Sequence, residues 1–156
     1  MNNKNTKLLH SKLSNNLMDY VYSNIEIDIN LDILALEYGV SKSHLHKIFK
    51  EQTSMPIYQF IKSIRLQKAS NMLITNKNST ITYISNLCGY SSQTSFIRAF
   101  KDRFEQTPKQ WRNGGYKEYS NRILSESLTK TLSYKDFSHI VPNIVKVKSR
   151  KAYYVR

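Results

Sequence analysis

Several residue types that would mark other classes of protein are scarce in this sequence of 156 residues. A single cysteine, Cys88, excludes a disulfide scaffold and a zinc site built from several cysteines. Three prolines and four glycines exclude a repetitive or linker-like polymer. No apolar run approaches the roughly 18 residues that suggest a membrane span, so we expect neither a span nor a signal peptide.

Acidic residues are also scarce, and the resulting positive charge is unevenly placed. The chain has 24 lysines and arginines against 11 acidic residues, a formal net charge of +13. Residues 1–40 carry a net charge of −2, residues 41–115 carry +9 and residues 116–156 carry +6. Such an excess favours a polyanionic partner, nucleic acid before an anionic membrane surface, with an affinity that depends on salt.

Apolar residues recur at helical spacing through most of the first 112 positions, which indicates an all-α fold of seven helices. The first helix, predicted over about 7–24, has the apolar stripe Leu9, Leu13, Leu17, Val21 and Ile25. Residues suited to capping or opening a helix precede the later helices: Asn30, Ser41, Pro56, Thr80 and Pro108. The long fourth helix is expected to bury Phe60, Ile64, Ala69 and Leu73.

A helix, glycine turn, helix pattern occurs twice, about 50 residues apart. Residues 35–41 (Ala-Leu-Glu-Tyr-Gly-Val-Ser) match residues 85–91 (Ser-Asn-Leu-Cys-Gly-Tyr-Ser), so Gly39 and Gly89 stand at equivalent turns. A small residue four positions before the glycine and an apolar plug after it, Leu45 or Phe96, are typical of a helix-turn-helix. Two such units in the most basic part of the chain predict binding to duplex DNA.

The second helix of each unit has a polar face opposite its apolar stripe. The faces consist of Ser43, His46, Lys47 and Lys50 on the third helix, and Gln93, Thr94, Ile97, Arg98 and Lys101 on the sixth. Such side chains suit base edges in the major groove. A linker helix of about 18 residues would span roughly 27 Å, which can place two recognition helices about one DNA turn apart. The alternative is a polar face that only contacts solvent.

The strongest motif in the sequence is the run 89–101 (Gly-Tyr-Ser-Ser-Gln-Thr-Ser-Phe-Ile-Arg-Ala-Phe-Lys) with the closing segment 107–112 (Thr-Pro-Lys-Gln-Trp-Arg). Together with residues 65–69 (Arg-Leu-Gln-Lys-Ala), it resembles the signature of the AraC/XylS family of bacterial transcription regulators. The match covers about residues 8–112. This stretch is similar to the short MarA, SoxS and Rob branch of the family. The resemblance implies two helix-turn-helix subdomains joined by a linker helix, which bind promoter DNA and activate transcription by contacting RNA polymerase.

The resemblance also implies which side chains touch DNA. Base contacts are expected from Ser43, His46, Lys47, Gln93, Thr94 and Arg98. Phosphate contacts are expected from Lys42, Lys50, Lys101, Lys109 and Arg112. Some positions depart from the family: Ser43 replaces a tryptophan of the short branch, Lys47 a frequent arginine, Ser54 and Phe104 common glycines, and Trp111 a usual tyrosine. The base preference is therefore expected to differ from that of relatives.

We assign residues 7–114 to a DNA-binding domain, with helix-turn-helix units at 7–55 and 77–114 and a linker helix at 56–76. Residues 115–156 are predicted to form a basic extension, helical from 116 to about 131, with short strands at 144–148 and 152–156. Its end resembles the opening strand of a GyrI-like effector-binding domain, so we expect a truncated form or fragment of a longer regulator. A basic, mostly disordered tail is the alternative, and a small-molecule effector is expected only if a full C-terminal domain exists.

The sequence favours a sequence-specific transcription regulator, acting in the cytoplasm on the nucleoid, over a nonspecific nucleic-acid or anionic-surface binder. No catalytic triad, phosphate loop or carboxylate pair is evident, so we expect no enzyme activity and no cofactor. The lone Cys88 argues against a DNA-repair enzyme and is expected to be buried and inert. His44 and His46 diverge by about 200° on a helix and make a poor metal pair. Arg65 is expected to form an ion pair within the linker helix, with a phosphate contact as the alternative. Trp111 and Phe60 are expected to be core residues rather than stacking platforms.

Overall fold

The computed structural model of the chain describes residues 3–133, and all the regular secondary structure in that range is helical. Residues Met1–Tyr119 form one compact unit, and a wide turn at Trp111–Gly115 follows α7. The all-α prediction is confirmed, while the strands predicted at 144–148 and 152–156 lie outside the described residues. The helices are α1 (Asn3–Ser23), α2 (Leu31–Glu37), α3 (Lys42–Thr53), α4 (Ile57–Thr75), α5 (Ile81–Leu87), α6 (Gln93–Phe104), α7 (Pro108–Gln110) and α8 (Tyr116–Ser133).

Side-chain caps fix the starts of α2, α3, α5 and α6. Asn30 Oδ1 accepts a hydrogen bond from the backbone N–H of Asp32 at 2.9 Å. Ser41, Thr80 and Ser92 each accept from the N–H three residues further on, at 3.2, 3.0 and 3.2 Å. Such caps satisfy N–H groups that the first turn of a helix leaves unpaired. The predicted caps Asn30, Ser41 and Thr80 are confirmed, so local sequence sets where these helices begin.

Helix α4 contributes to two separate cores. Its first half places Ile57 and Ile61 in a core with α1, α2 and α3, whose other buried residues include Leu17, Val21, Leu34, Leu45 and Phe49. Its second half completes a core with α5, α6 and the turn after α7, made of Leu66, Ala69, Leu73, Ile84, Phe96, Phe100 and Trp111. Each helix-turn-helix therefore packs on its own half of one continuous helix.

The buried face of α4 differs from the predicted stripe of Phe60, Ile64, Ala69 and Leu73. The last two residues are fully buried, but the first two are half-buried at the edge of the first core. The single stripe is wrong because the buried face moves around the helix between Ile61 and Leu66, where one core ends and the next begins.

Helix α1 begins at Asn3, earlier than predicted, and its first turns extend past the core. Leu9, predicted as part of the buried stripe, is 61% exposed, whereas Leu17 and Val21 are fully buried. Helical periodicity continues in the sequence beyond the point at which α1 has anything to pack against.

Two helices end on a non-glycine residue in the left-handed conformation. Ser54 ends α3 at φ 58° and Glu105 ends α6 at φ 60°. Phe104, which we expected to stand in place of a family glycine, is instead buried in the second core. The glycine-like position is Glu105, because the second repeat has one extra residue before this point and Ser54 is matched 51 positions later.

Replacing Ser54 by glycine should stabilise the protein. A left-handed conformation costs an L-residue about 1–2 kcal/mol, and glycine avoids that cost at the expense of greater backbone entropy in the unfolded chain. We expect Ser54→Gly to raise the midpoint of thermal unfolding, followed by circular dichroism, above those of the unchanged protein and of the matched variant Ser54→Ala. A glycine variant no more stable than the alanine variant would contradict this account of the helix end.

Candidate nucleic-acid interface

The two glycine turns have the same backbone geometry. Gly39 has φ 64° and Gly89 has φ 72°, values that disfavour a residue with a Cβ atom. The next residue closes each turn by donating its N–H to the carbonyl five residues earlier: Val40 to Ala35 at 3.0 Å and Tyr90 to Ser85 at 3.1 Å. The sequence repeat is therefore a structural repeat, with α2–α3 and α5–α6 as equivalent helix-turn-helix units.

The outer face of α3 carries the residues expected to touch bases in the first unit. Ser43 and Lys47 are exposed. Lys47 Nζ lies 4.0 Å from Glu51 Oε1 with both side chains exposed, so this weak pair leaves Lys47 able to turn to another acceptor. His46 is half-buried, and its ring packs 5.2 Å from the ring of Tyr58 on α4. The face therefore combines two exposed side chains with an imidazole held at its edge.

Helix α6 presents the matching face of the second unit. Gln93, Thr94 and Arg98 are all exposed. Gln93 Oε1 accepts a hydrogen bond from Thr82 Oγ1 at 2.6 Å, so α5 holds the amide while its NH2 group is left to donate. The Arg98 side chain is exposed and makes no hydrogen bond or ion pair within the described part of the chain, which leaves its planar fork free for a bidentate contact.

The lysines expected to contact phosphates differ in their surroundings. Lys50, Lys101 and Lys109 are exposed, and none forms an ion pair within residues 5–127. Lys42 Nζ instead donates to Asp32 Oδ2 at 2.8 Å, and this hydrogen bond raises the pKa of Lys42 above its usual value. Because its charge is already paired with α2, Lys42 has less charge to offer a phosphate than the other three.

Arg112 lies in a pocket rather than on the open surface. Its side chain is half-buried, and Nε and Nη2 have no hydrogen-bond partner among the described residues. Lys77 and Lys117 line the same pocket, of about 470 Å³, and none of the described residues that border it is acidic. Buried N–H groups without acceptors are costly, so this basic pocket is suited to an anion.

Two basic residues near the second unit were missed by the sequence reasoning. Lys62 of α4 and Arg103 of α6 line a pocket of about 190 Å³ together with Gln59, Ser63, Leu66 and Asp102. Arg103 donates to the hydroxyl of Tyr119 at 3.1 Å and lies 5.3 Å from the centroid of the Phe104 ring. The sequence could have indicated Lys62, because it is a basic residue on the polar side of the linker helix. Such a position is missed when only the recognition helices are considered.

Trp111 and Cys88, to which the sequence assigned structural roles, are buried, and Arg65 is half-buried. Trp111 is buried and its Nε1 donates to the Ser70 carbonyl at 3.1 Å. The Cys88 side chain is fully buried, and burial raises the pKa of its thiol to about 11. Arg65 makes no ion pair within the described residues, contrary to expectation; it donates to the carbonyls of Ile25 and Ile27.

Neither a metal site nor a membrane span is present in the described part of the chain. No group of three or more histidine, cysteine or acidic side chains is arranged to hold a metal ion there. The His44 ring packs edge-on against the His10 ring of α1, with centroids 5.8 Å apart. Among these residues no helix is both long and apolar enough to cross a bilayer.

The buried thiol should make stability fall at high pH. The unfolded thiol ionises near pH 9 while the folded one stays protonated to about pH 11, so the free energy of unfolding decreases through this window. We expect Cys88→Ala to lose less stability between pH 9 and pH 11 than the unchanged protein in urea unfolding. Tyr90 is present in both proteins. Burial raises its pKa to about 12 and Cys88 adds to this rise, so the loss of Cys88 changes the Tyr90 contribution in the same direction as the expected difference. Equal losses would show that Cys88 ionises normally.

The geometry defines a protein with two helix-turn-helix units, and comparisons with known proteins agree. A family model described as a helix-turn-helix domain matches residues 34–114. An uncharacterised HTH-type transcriptional regulator of Staphylococcus aureus is 35% identical over 108 residues, which cover 69% of this chain but 14% of the relative. This chain thus spans a small part of that relative's length.

Solved structures share the fold. An AraC-type transcriptional regulator from Chromobacterium violaceum superposes with a TM-score of 0.60 and 25% identity, over 65% of this chain and 90% of that one. The DNA-binding domain of AdpA, a transcriptional factor solved with a target DNA, gives a TM-score of 0.60 at 16% identity, over 64% and 89%. The chain belongs to the AraC-type helix-turn-helix family, and the relatives it matches are named as transcriptional regulators.

Proposed function

We propose that this protein is a sequence-specific transcription regulator that inserts α3 and α6 into successive major grooves of promoter DNA. The observation that carries the proposal is the pair of equivalent units, each with a capped second helix whose outer face is exposed and polar. Both units pack on α4, so a single chain presents two reading helices. A dimer is therefore not needed to bring two helices to DNA.

The two faces suit different chemistry. On α6 the unpaired Arg98 guanidinium suits a guanine edge, and Gln93 and Thr94 beside it suit adenine or an adaptable contact. On α3 we assign base contacts to Ser43, His46 and Lys47, where Lys47 contributes a point charge rather than a planar fork. We therefore expect the second unit to read its bases more strictly than the first.

Phosphate contacts hold these faces in register without reading sequence. We assign them to Lys50 and Lys101 at the exposed sides of the recognition helices, with Lys109 at the start of α7. Arg112 in its basic pocket and, more weakly, Lys42 complete the set. The high charge of residues 41–115 then supplies the salt-dependent part of the affinity.

Activation through RNA polymerase is the regulatory mode that the family resemblance implies, and we extend it to this protein acting on the nucleoid in the cytoplasm. Transcription in vitro from a promoter carrying a selected site should rise with added protein. A fall in transcription with added protein would identify a repressor. A small-molecule effector enters this scheme only with a complete C-terminal domain.

Arg98→Ala should weaken binding to the preferred duplex by about 1–3 kcal/mol and relax the choice at one base pair. The duplex would first be selected from a random pool by the full chain, and affinities measured by fluorescence anisotropy on it and on a scrambled version. The loss of affinity caused by Arg98→Ala should be small on the scrambled duplex. An equal loss on both would mean that Arg98 touches only phosphate, and equal affinity of the unchanged protein for both would favour the nonspecific binder.

Lys101→Ala should weaken binding to preferred and scrambled duplexes alike. Removing one phosphate contact should lower the slope of log affinity against log salt by about one unit. Lys7→Ala is the matched control, because Lys7 is exposed on α1 and outside the proposed DNA surface. If both substitutions changed the slope equally, overall charge rather than a defined contact would account for the affinity.

A further inference from the structure

The second helix-turn-helix is tied to the first by a contact that the repeat itself does not require. Arg65 lies on α4 between the last buried α4 residue of the first core, Ile61, and the first buried residue of the second core, Leu66. Its guanidinium donates from Nε to the Ile25 carbonyl at 3.3 Å and from Nη2 to the Ile27 carbonyl at 2.8 Å. These carbonyls belong to the segment between α1 and α2, in the first subdomain.

The turn of the second unit closes on the same carbonyl. A Cβ atom built on Gly89 would lie 2.6 Å from the Ile25 carbonyl oxygen and 2.8 Å from Arg65 Cζ. At the equivalent turn, a Cβ on Gly39 would meet nothing within 4 Å. Gly39 is therefore explained by its backbone angle alone, whereas Gly89 is also needed to let the two subdomains touch.

An ion pair reinforces this contact one turn along α4. Lys68 Nζ lies 2.7 Å from Glu26 Oε1, so the residue between the two acceptor carbonyls is also tied to the linker helix. We call Arg65, Lys68, residues 25–27 and Gly89 the junction. Arginine suits this position because its rigid fork can donate to two acceptors at once, which lysine cannot do in the same geometry.

The backbone hydrogen bonds of a continuous helix fix the angle between its two buried faces. Each unit can still tilt and turn on the half of α4 that it packs against. The junction spans the middle turn of α4 and joins both units directly. On DNA with 10–10.5 base pairs per turn, a shift of one base pair rotates a half-site by roughly 35°. Restricting rotation to less than this would restrict the protein to one separation of half-sites.

We propose that the junction centred on Arg65 locks the orientation of the two helix-turn-helix units and so determines which half-site spacing the protein accepts. The statement about spacing rests on the proposed function, while the statement about orientation does not involve DNA. Arg65 is a positioning residue, since it acts through the placement of α3 and α6. The two statements can therefore be tested separately.

The orientation is tested without DNA by the distance between spin labels on the two recognition helices. Gln52→Cys on α3 and Asp102→Cys on α6 provide exposed sites, and the fully buried Cys88 should not label. Pulsed electron resonance should give a narrow distance distribution, which Arg65→Gln broadens or shifts. An unchanged distribution in a folded Arg65→Gln protein would overturn the proposal.

The two turn glycines supply a matched pair of variants should Arg65→Gln fail to fold. Gly39→Ala and Gly89→Ala impose similar backbone strain, but only the second places an atom in the junction. Gly89→Ala should alter the label distance and Gly39→Ala should not. The same distance distribution in both variants would also contradict the proposal.

The spacing is tested on the selected duplex with base pairs inserted or deleted between its half-sites. The unchanged protein should prefer one spacing, and its preference over a one-base-pair shift should fall at least about fivefold in Arg65→Gln, the low end of measured coupling between sites. A spacing preference retained in Arg65→Gln would refute the junction's role. If the unchanged protein accepted every spacing, the proposed two-groove reading would be wrong, while the label distances would still decide whether the junction fixes orientation.

Discussion

The packing of one helix into two cores is the constraint on which the rest of this structure depends. Helix α4 buries Ile57 and Ile61 with the first unit and Leu66, Ala69 and Leu73 with the second. Neither unit can form its core without its half of α4. The polar outer faces of α3 and α6 are therefore presented by one connected framework, which is the property that a single chain needs to read two grooves.

The sequence was informative wherever a local rule determined the structure. Caps at Asn30, Ser41 and Thr80, the positive φ of Gly39 and Gly89, and the burial of Trp111 all follow from interactions within a few residues or from strong apolar periodicity. The repeat strengthened the prediction of two helix-turn-helix units, because each copy has the same residue types around its turn. The fold class followed from these features, and the family followed from the resemblance of residues 89–112 to a known signature.

Features set by contacts distant in sequence could not be predicted in this way. The face that α4 buries changes along its length, so one stripe could not describe it. Leu9 continues an apolar pattern but projects past the core. An arginine such as Arg65 is expected to pair with a carboxylate, yet its acceptors are backbone carbonyls about 40 positions away. Carbonyl acceptors carry no sequence signal, so only the tertiary structure reveals this contact.

The basic residues differ in their surroundings, and therefore in the contacts that they can make with DNA. Lys42 is paired with Asp32, and Arg112 is half-buried in a basic pocket, whereas Lys50 and Lys101 remain open at the recognition helices. Positive charges that count equally in the composition are thus divided among an ion pair between α2 and α3, a pocket and the proposed DNA surface. The assignment of individual base contacts remains a prediction, because it depends on how the two faces approach a duplex.

The most direct test of the central claim is selection of duplexes from a random pool by the unchanged protein, His46→Ala and Arg98→Ala. If α3 and α6 read successive major grooves, the two substitutions should relax base preference in two different blocks, centred about 10 base pairs apart. Loss of preference in the same block, or in neither, would contradict the account.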